Sequence, residues 1–338
     1  SQNYKFSDLI KLFIIYLTAA LILIGPKIYA QTSEKPFHIV GTLAPKFMQS
    51  HLSVLEKKNP SLSFKYTQMR ESEIVSNISV TSQNSINNID IAIFQTPDVG
   101  VRLANEGLLQ TIFNTNRDKS EIHWRGEVLA LFFDPAVFIA RQSAFGAQKL
   151  PNSRIEVLRY LEKNSKKMHS RIGLVNIGVN SQSYTYAAND QLRSPLFWRI
   201  MQTFGNLNVQ IFETNAEILA ALQNAEIDLA FNIPISELAF SEHNELTVIA
   251  PKDYVVSMPW VLVAPSQSQN PFLAQIVKTL QVEVAQLRFP NKEFWEIISR
   301  SNISEAHRIS IGPELLVFLD PIKKTNILDS WFQMVTGQ

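Results

Sequence analysis

Between Phe37 and Leu108, short apolar runs alternate with segments of helical periodicity. No other feature restricts the fold as much. Phe37–Gly41 is an apolar run. Pro45 then opens a helical pattern over 46–58, with Phe47, Leu52 and Leu55 near one face and Asn59-Pro60 as its stop. Residues 62–68 alternate with period two, and 71–82 return to helical spacing through Ile74, Val75 and Ile78. Residues 89–94 form a third apolar run, after which Thr96-Pro97-Asp98 supplies an N-cap and first turn for a helix to Leu108. A β-α-β-α-β-α order predicts a parallel sheet with crossover helices, whose ligands sit beyond the carboxyl ends of the strands. Those ends are 41–43, 68–70 and 94–96.

A second set of the same kind follows. The apolar stretch 127–140 reads as two adjoining strands hinged at Asp134-Pro135, because proline has no N–H to give to a ladder. Helices are then expected over 151–163, 183–204 (kinked at Pro195) and 215–224, with strands at 172–176, 209–212 and 227–232. Residues 248–251 and 259–264 bring the chain back, and helices are expected from 270 to about 289 and from 291 to 300. Two α/β units joined by extended crossings can close by hinge motion over a cleft. The expected division is residues 36–130 with 256–338 as the first lobe, and 131–255 as an inserted second.

Several classes of function are disfavoured on composition. With 31 basic and 30 acidic residues the net charge is +1, which argues against a nucleic-acid binder. Absence of Cys removes disulfides, thiolate metal sites and cysteine nucleophiles. Neither GxGxxG nor GxxxxGK[ST] occurs, so no phosphate-cradling loop is read. The six His (His38, His51, His123, His169, His243 and His307) show no i, i+3 or i, i+4 pairing, and no metal ligand set or cofactor is expected. No G-x-S-x-G elbow is present, so an enzyme is disfavoured.

Residues 1–30 read as a secretory signal. Lys5 and Lys11 precede the charge-free run Leu12–Gly25, Gly25-Pro26 breaks it, and Ala30 precedes a polar stretch. As a helix that run rises about 21 Å, short of the ~30 Å hydrocarbon core, although an uncleaved anchor is the alternative. Export without Cys suits a bacterial periplasm.

Four phrases in this order resemble the type-two periplasmic solute-binding proteins of ABC transporters, and within them the iron-type and phosphoglycerate-type group. They are Asn59-Pro60 through Tyr66, Phe133-Asp134-Pro135-Ala136-Val137, Ile227 through Asn232, and Ala250-Pro251-Lys252-Asp253-Tyr254; the tail 311–320 is similar to the group's closing segment. The resemblance spans about residues 36–335. It implies a two-lobe α/β fold, capture of a small-molecule solute, and delivery to an ABC permease in the inner membrane. An alternative it offers is a sensor or scaffold acting on the outer domain of a sensor kinase. The group's Ser-rich turn after strand three is replaced here by Phe94-Gln95-Thr96-Pro97, its Ser-Gly-x-Gly turn by Asn180 through Ser183, and its Gly-Ser by Ile235-Ser236, so that glycines that let a ligand approach the backbone are lost. Iron carriers of the group use an adjacent tyrosine pair, and the comparable stretch here has none.

The candidate ligand-binding residues each carry a plainer reading. Thr42, Gln95 and Thr96 end strands, where hydroxyl and amide groups contact a ligand or cap a helix. Asn180, Ser181 and Ser183 precede a helix whose free amides suit an anion, or are capped by Ser181 or Ser183. Asp134 accepts from a ligand or from the moving crossing. Asn232 offers a cleft amide or forms a turn, and Tyr254 and Trp260 line the cleft or belong to the core. The function expected is capture of a small polar or anionic solute.

Overall fold

The computed structural model describes residues 35–80, 88–112, 122–146, 149–239, 245–285 and 308–337. The expected signal (1–30) and the expected helix over 291–300 lie outside them. The first elements follow the anticipated order: β1 (Phe37–Gly41), α1 (Pro45–Lys58), β2 (Phe64–Gln68), α2 (Glu71–Ser79), β3 (Ile91–Phe94) and α3 (Pro97–Asn105). Next come β4 (His123–Trp124), the long β5 (Val128–Arg141), α4 (Gln142–Phe145), α5 (Arg154–Lys163), α6 (Ser165–Met168) and β6 (Ile172–Val175). They are followed by α7 (Ser181–Arg193), α8 (Leu196–Asn206), β7 (Gln210–Phe212), α9 (Asn215–Gln223), β8 (Leu229–Pro234), α10 (Ser236–Ala239), β9 (Leu246–Ile249) and β10 (Ser257–Val263). The chain closes with α11 (Leu273–Ala285), a 3₁₀ helix (Pro313–Leu319) and α12 (Pro321–Thr336).

The strands run in the order β2-β1-β3-β10-β5-β8-β6-β7, with β4 and β9 paired to β5 off this path. β1, β2 and β3 are parallel, as crossover helices require, and β6 is parallel to β7 and β8. Two half-sheets therefore share one strand. β5 pairs with β10 from Val128 to Pro135, then with β8 and β9 from Ala136 to Arg141. The expected break into two strands at Pro135 does not occur. Pro135 stands at the exchange of partners, where its carbonyl still accepts from Ile235 N (3.0 Å) and the next amide, Ala136 N, donates to Val256 O (2.9 Å). The missing N–H falls where the ladder changes hands, so the strand continues.

The register of β5 shifts on both sides of that point, against β10 at Trp260/Val261 and against β8 at Val137/Ile139. Leu129, Val137 and Ile139 face a core that is continuous across both half-sheets and includes Leu52, Leu55, Ile276 and Ile218. The opposite face is divided. Val128 and Ala136 join Ile74, Val101 and Leu103 over the first half-sheet, whereas Phe138 and Ala140 join Leu158, Phe197 and Phe204 over the second.

The single kinked helix expected over 183–204 is two helices. Ser194 is extended and Pro195 follows it, because a residue before proline is pushed out of the helical region. Trp331 and Val335 of α12 are buried with the second half-sheet's core. Contact there is close: a Cβ on Gly205 of α8 would lie 2.1 Å from Met334 O, so only glycine lets α12 approach. Among the described residues no helix is long and apolar enough to cross a membrane.

Candidate functional site

The sequence-selected residues fall into three neighbourhoods. The first is the carboxyl edge of β1 and β3. Thr42 is half-buried, its amide donates to Ile93 O (3.1 Å), and its Oγ1 is buried with no partner. Thr96 occupies the N-cap position of α3 but does not cap it with its side chain; it is buried and donates its hydroxyl to Glu71 Oε2, at the start of α2. Gln95 is half-buried and extends its amide toward Asp134 Oδ2 and Ser236 Oγ, both at 3.5 Å.

The second neighbourhood is the exchange point of β5. Asp134 is 1 % exposed and accepts from Ser236 N (3.2 Å), Ser236 Oγ (2.5 Å) and Trp260 Nε1 (3.1 Å). Its backbone carbonyl accepts from Tyr186 Oη of α7 (2.7 Å). Both oxygens are thus occupied by neutral donors from β10 and from the β8–α10 turn. Burial without a counter-charge pushes the carboxyl up to about 6, and the Ser236 and Trp260 bonds oppose that rise. Of the two readings of Asp134, the geometry shows a tie between elements. Trp260 is buried against Phe132, its ring stacked at 5.5 Å, so it belongs to the core as well as to this tie.

The third neighbourhood lies in the second half-sheet. Asn180 caps α7, its Oδ1 accepting from Ser183 N (2.9 Å); Ser181 is exposed and Ser183 buried, so neither serine is the cap. Asn232 adopts a left-handed backbone (φ 59°), which asparagine tolerates better than most residues. Its Nδ2 donates to Asp190 Oδ2 (3.4 Å) and its Oδ1 is buried without a partner. Tyr254 Oη donates to Asp190 Oδ1 (2.7 Å). Asp190 is fully buried and is paired with Arg154, itself 1 % exposed, at 2.8 Å. The Arg154 guanidinium also stacks on the Tyr254 ring (4.1 Å to the centroid). Burial and the adjacent Asp190 charge push the Tyr254 hydroxyl well above its ordinary range. A small pocket beside this knot is lined by Ser183, Ala187, Phe197, Met201, Phe231 and Asn232, among others.

Five residues central to these neighbourhoods escaped sequence reading: Glu71, Asp98, Arg154, Asp190 and Ser236. Asp98 was visible only as a first-turn acid, and Ser236 only as the serine beside Ile235, which stands where the group has glycine. Arg154 and Asp190 sit on polar-looking helices, where nothing in the spacing distinguishes a buried pair from a solvated one. Among the described residues no group of three or more His, Asp or Glu is arranged to hold a metal ion.

No family model and no curated protein matches the sequence. Solved structures do match. The substrate-binding protein of an ABC transporter from Agrobacterium tumefaciens superposes with a TM-score of 0.71 at 24 % identity, covering 92 % of this chain and 97 % of its own. The fold is that of the two-lobe periplasmic binding proteins. A spermidine/putrescine ABC transporter substrate-binding protein from Streptococcus pneumoniae has a TM-score of 0.62 at 11 % identity, covering 89 % and 98 %. The periplasmic binding protein AfuA from Actinobacillus pleuropneumoniae, with fructose-6-phosphate bound, has a TM-score of 0.58 at 12 % identity, covering 90 % and 99 %. The two-lobe α/β expectation is met, and these neighbours are binding proteins with unlike ligands.

Proposed function

We propose that this chain is the solute-binding component of an ABC transporter, capturing a small polar solute between its two lobes. In this reading the lobes are the helices and strands around each half-sheet, residues 1–30 direct export, and the protein works in the periplasm with an inner-membrane permease. What carries the reading is the handover of β5 at Pro135. One strand belongs to both half-sheets, the core is continuous on one face only, and the carboxyl end of β3 lies beside that junction. Such a handover supplies a hinge between the two halves, while polar groups at the strand ends meet a solute. Closure requires the solute to bind the closed form better than the open form.

The anionic part of the expectation is not carried forward. At the strand ends stand a hydroxyl, Thr42, and two carboxyls, Glu71 and Asp98, which do not suit an anion. At the start of α7 the Ser183 amide is already taken by Asn180. No observation favours the sensor-kinase alternative.

The test is calorimetry on the purified chain against amines, sugars, sugar phosphates, carboxylates and ferric chelates, with small-angle scattering of each complex. Binding of one class with a contraction of the particle is the expected result. No heat, no thermal shift and no contraction with any class would remove the proposal.

A further inference from the structure

We infer that Asp98, with Glu71 and Thr42 beside it, receives the ammonium group of a cationic organic solute at the carboxyl edge of the first half-sheet. This rests on the capture reading above and names its substrate class.

The strand order β2-β1-β3 places three acceptors in a row. Glu71 opens the helix after β2, Thr42 ends the central β1, and Asp98 lies in the first turn of the helix after β3. The Thr96–Glu71 hydrogen bond ties the end of β3 to the start of α2 across the end of β1, two residues before Asp98. Two of them have buried oxygens without any hydrogen-bond partner: Thr42 Oγ1 and Asp98 Oδ1. Asp98 is only 5 % exposed.

Counter-charge is missing at this edge. Neither Asp98 nor Glu71 makes an ion pair among the described residues. Arg102, one turn along α3, pairs with Glu106 instead (3.9 Å). The Lys324 ammonium of α12 stands over the Tyr184 ring, 5.1 Å from its centroid. The backbone amides of Val99 and of Asp98 itself favour the Asp98 anion, and Arg102 and Lys324 soften its charge from a distance, but no cation neutralises it by contact. Burial raises both carboxyls above their ordinary range, and the Asp98 charge raises Glu71 further. Buried carboxylates are ordinarily paired or bound to a metal, and such perturbed acids in one place mark functional sites more often than chance.

The occupant that answers these groups brings positive charge and several N–H donors. A bare metal ion is disfavoured, since no three-ligand group is assembled here. An ammonium fits: its N–H groups match the vacant lone pairs of Asp98 and Thr42, with Glu71 as a second charge. Tyr184, in the first turn of α7, lies close enough to feel the Asp98 charge, so the site stands where elements of both half-sheets approach.

The experiment is calorimetric titration of the full chain with 1,4-diaminobutane and, separately, with glucose 6-phosphate, for the parent, Asp98→Asn and Glu71→Gln. The expected result is heat with the diamine alone. Its Kd weakens by about tenfold or more in Asp98→Asn and by less in Glu71→Gln, as loss of a charged hydrogen bond predicts. Both free variants are expected to melt no lower than the parent, because an uncompensated buried charge is removed. If the phosphate binds instead, with equal affinity in Asp98→Asn, the cation assignment is overturned and solute capture survives. If neither probe nor any other amine binds, the assignment fails; silence from every solute class takes the capture reading with it. A third outcome also overturns it: Asp98→Asn and Lys324→Ala lower the melting temperature equally and non-additively, while amine binding is unmoved. Asp98 would then be a dock for Lys324.

Discussion

Asp190 and Asp134 are both buried carboxylates, and the molecule treats them in opposite ways. Asp190 has a full positive charge against it, the Arg154 guanidinium at 2.8 Å, with Tyr254 and Asn232 completing its shell. Asp134 has only neutral donors, Ser236 and Trp260. Position accounts for the difference. The Asp190 knot joins α5, α7, β8 and the Tyr254 turn around the second half-sheet's core, and a strong fixed pair suits a region that moves as one piece. Asp134 stands where β5 passes from one half-sheet to the other. Neutral hydrogen bonds there give direction without the large electrostatic penalty that separating an ion pair would impose.

The largest expected effect breaks the first member of this comparison. Arg154→Met leaves the Asp190 charge buried and unanswered, which costs about 3–5 kcal/mol of unfolding free energy in urea denaturation. Arg154→Met combined with Asp190→Leu is expected to recover most of that loss, since a charge-free site no longer needs an ion pair. A single Arg154→Met loss below about 1 kcal/mol would show that water reaches the knot.

The second prediction uses pH. The folded-state carboxyl of Asp134 is raised to about 6 from an ordinary value of 3.8, so the native state holds this proton more tightly than the unfolded chain. Its contribution to stability is complete below about pH 4 and is lost as pH rises through about 6. The total is up to about 3 kcal/mol by linkage. Asp134→Asn should abolish that fall, seen as the difference between the two proteins' stability–pH curves.

Ser236→Ala tests the neutral clasp itself. It removes the shorter of the Ser236 bonds and leaves the amide and Trp260 Nε1 in place. The cost is about 1–2 kcal/mol. Because the Ser236 hydroxyl opposes the rise of the Asp134 carboxyl, its loss also moves the pH step upward. A step that stays where it was would mean that burial alone sets the proton affinity of Asp134.

The unequal legibility of these regions in the sequence has a physical basis. Alternation and helical spacing are local properties, and they located β1, β2, β3, α1, α2 and α3 to within a few residues. The hinge phrase at Phe133–Val137 pointed to the right place but to the wrong local structure. Proline's missing donor matters only if the ladder needs one there, and whether it does depends on Pro234, Ile235 and Val256, about 100 to 120 residues away. The site was less legible still. Asn180 as a cap is a local matter, yet it could not be told from Ser181 or Ser183 without the backbone. The pairing of Arg154 with Asp190 spans 36 residues, and the Thr96–Glu71 bond depends on β2 and β3 flanking β1. Charge partners are chosen by topology, and spacing along the chain does not encode it for buried groups.

The smallest expected effect returns to the charged knot and separates charge from hydrogen bonding there. Tyr254→Phe removes the bond to Asp190 Oδ1 and keeps the ring on which the Arg154 guanidinium stacks. Asp190 Oδ2 still accepts from Arg154 Nη1, so the charge remains answered. Tyr254 is only half-buried, and a water molecule entering beside the phenyl ring can satisfy the vacated oxygen. The loss should therefore be about 1 kcal/mol in urea denaturation, well below that of Arg154→Met. A loss as large as the arginine's would mean that the hydroxyl and the guanidinium act as one unit. A double-mutant cycle of Tyr254→Phe with Arg154→Met would then give a coupling energy close to the whole effect, instead of the few tenths expected from a charge pair that stands without it.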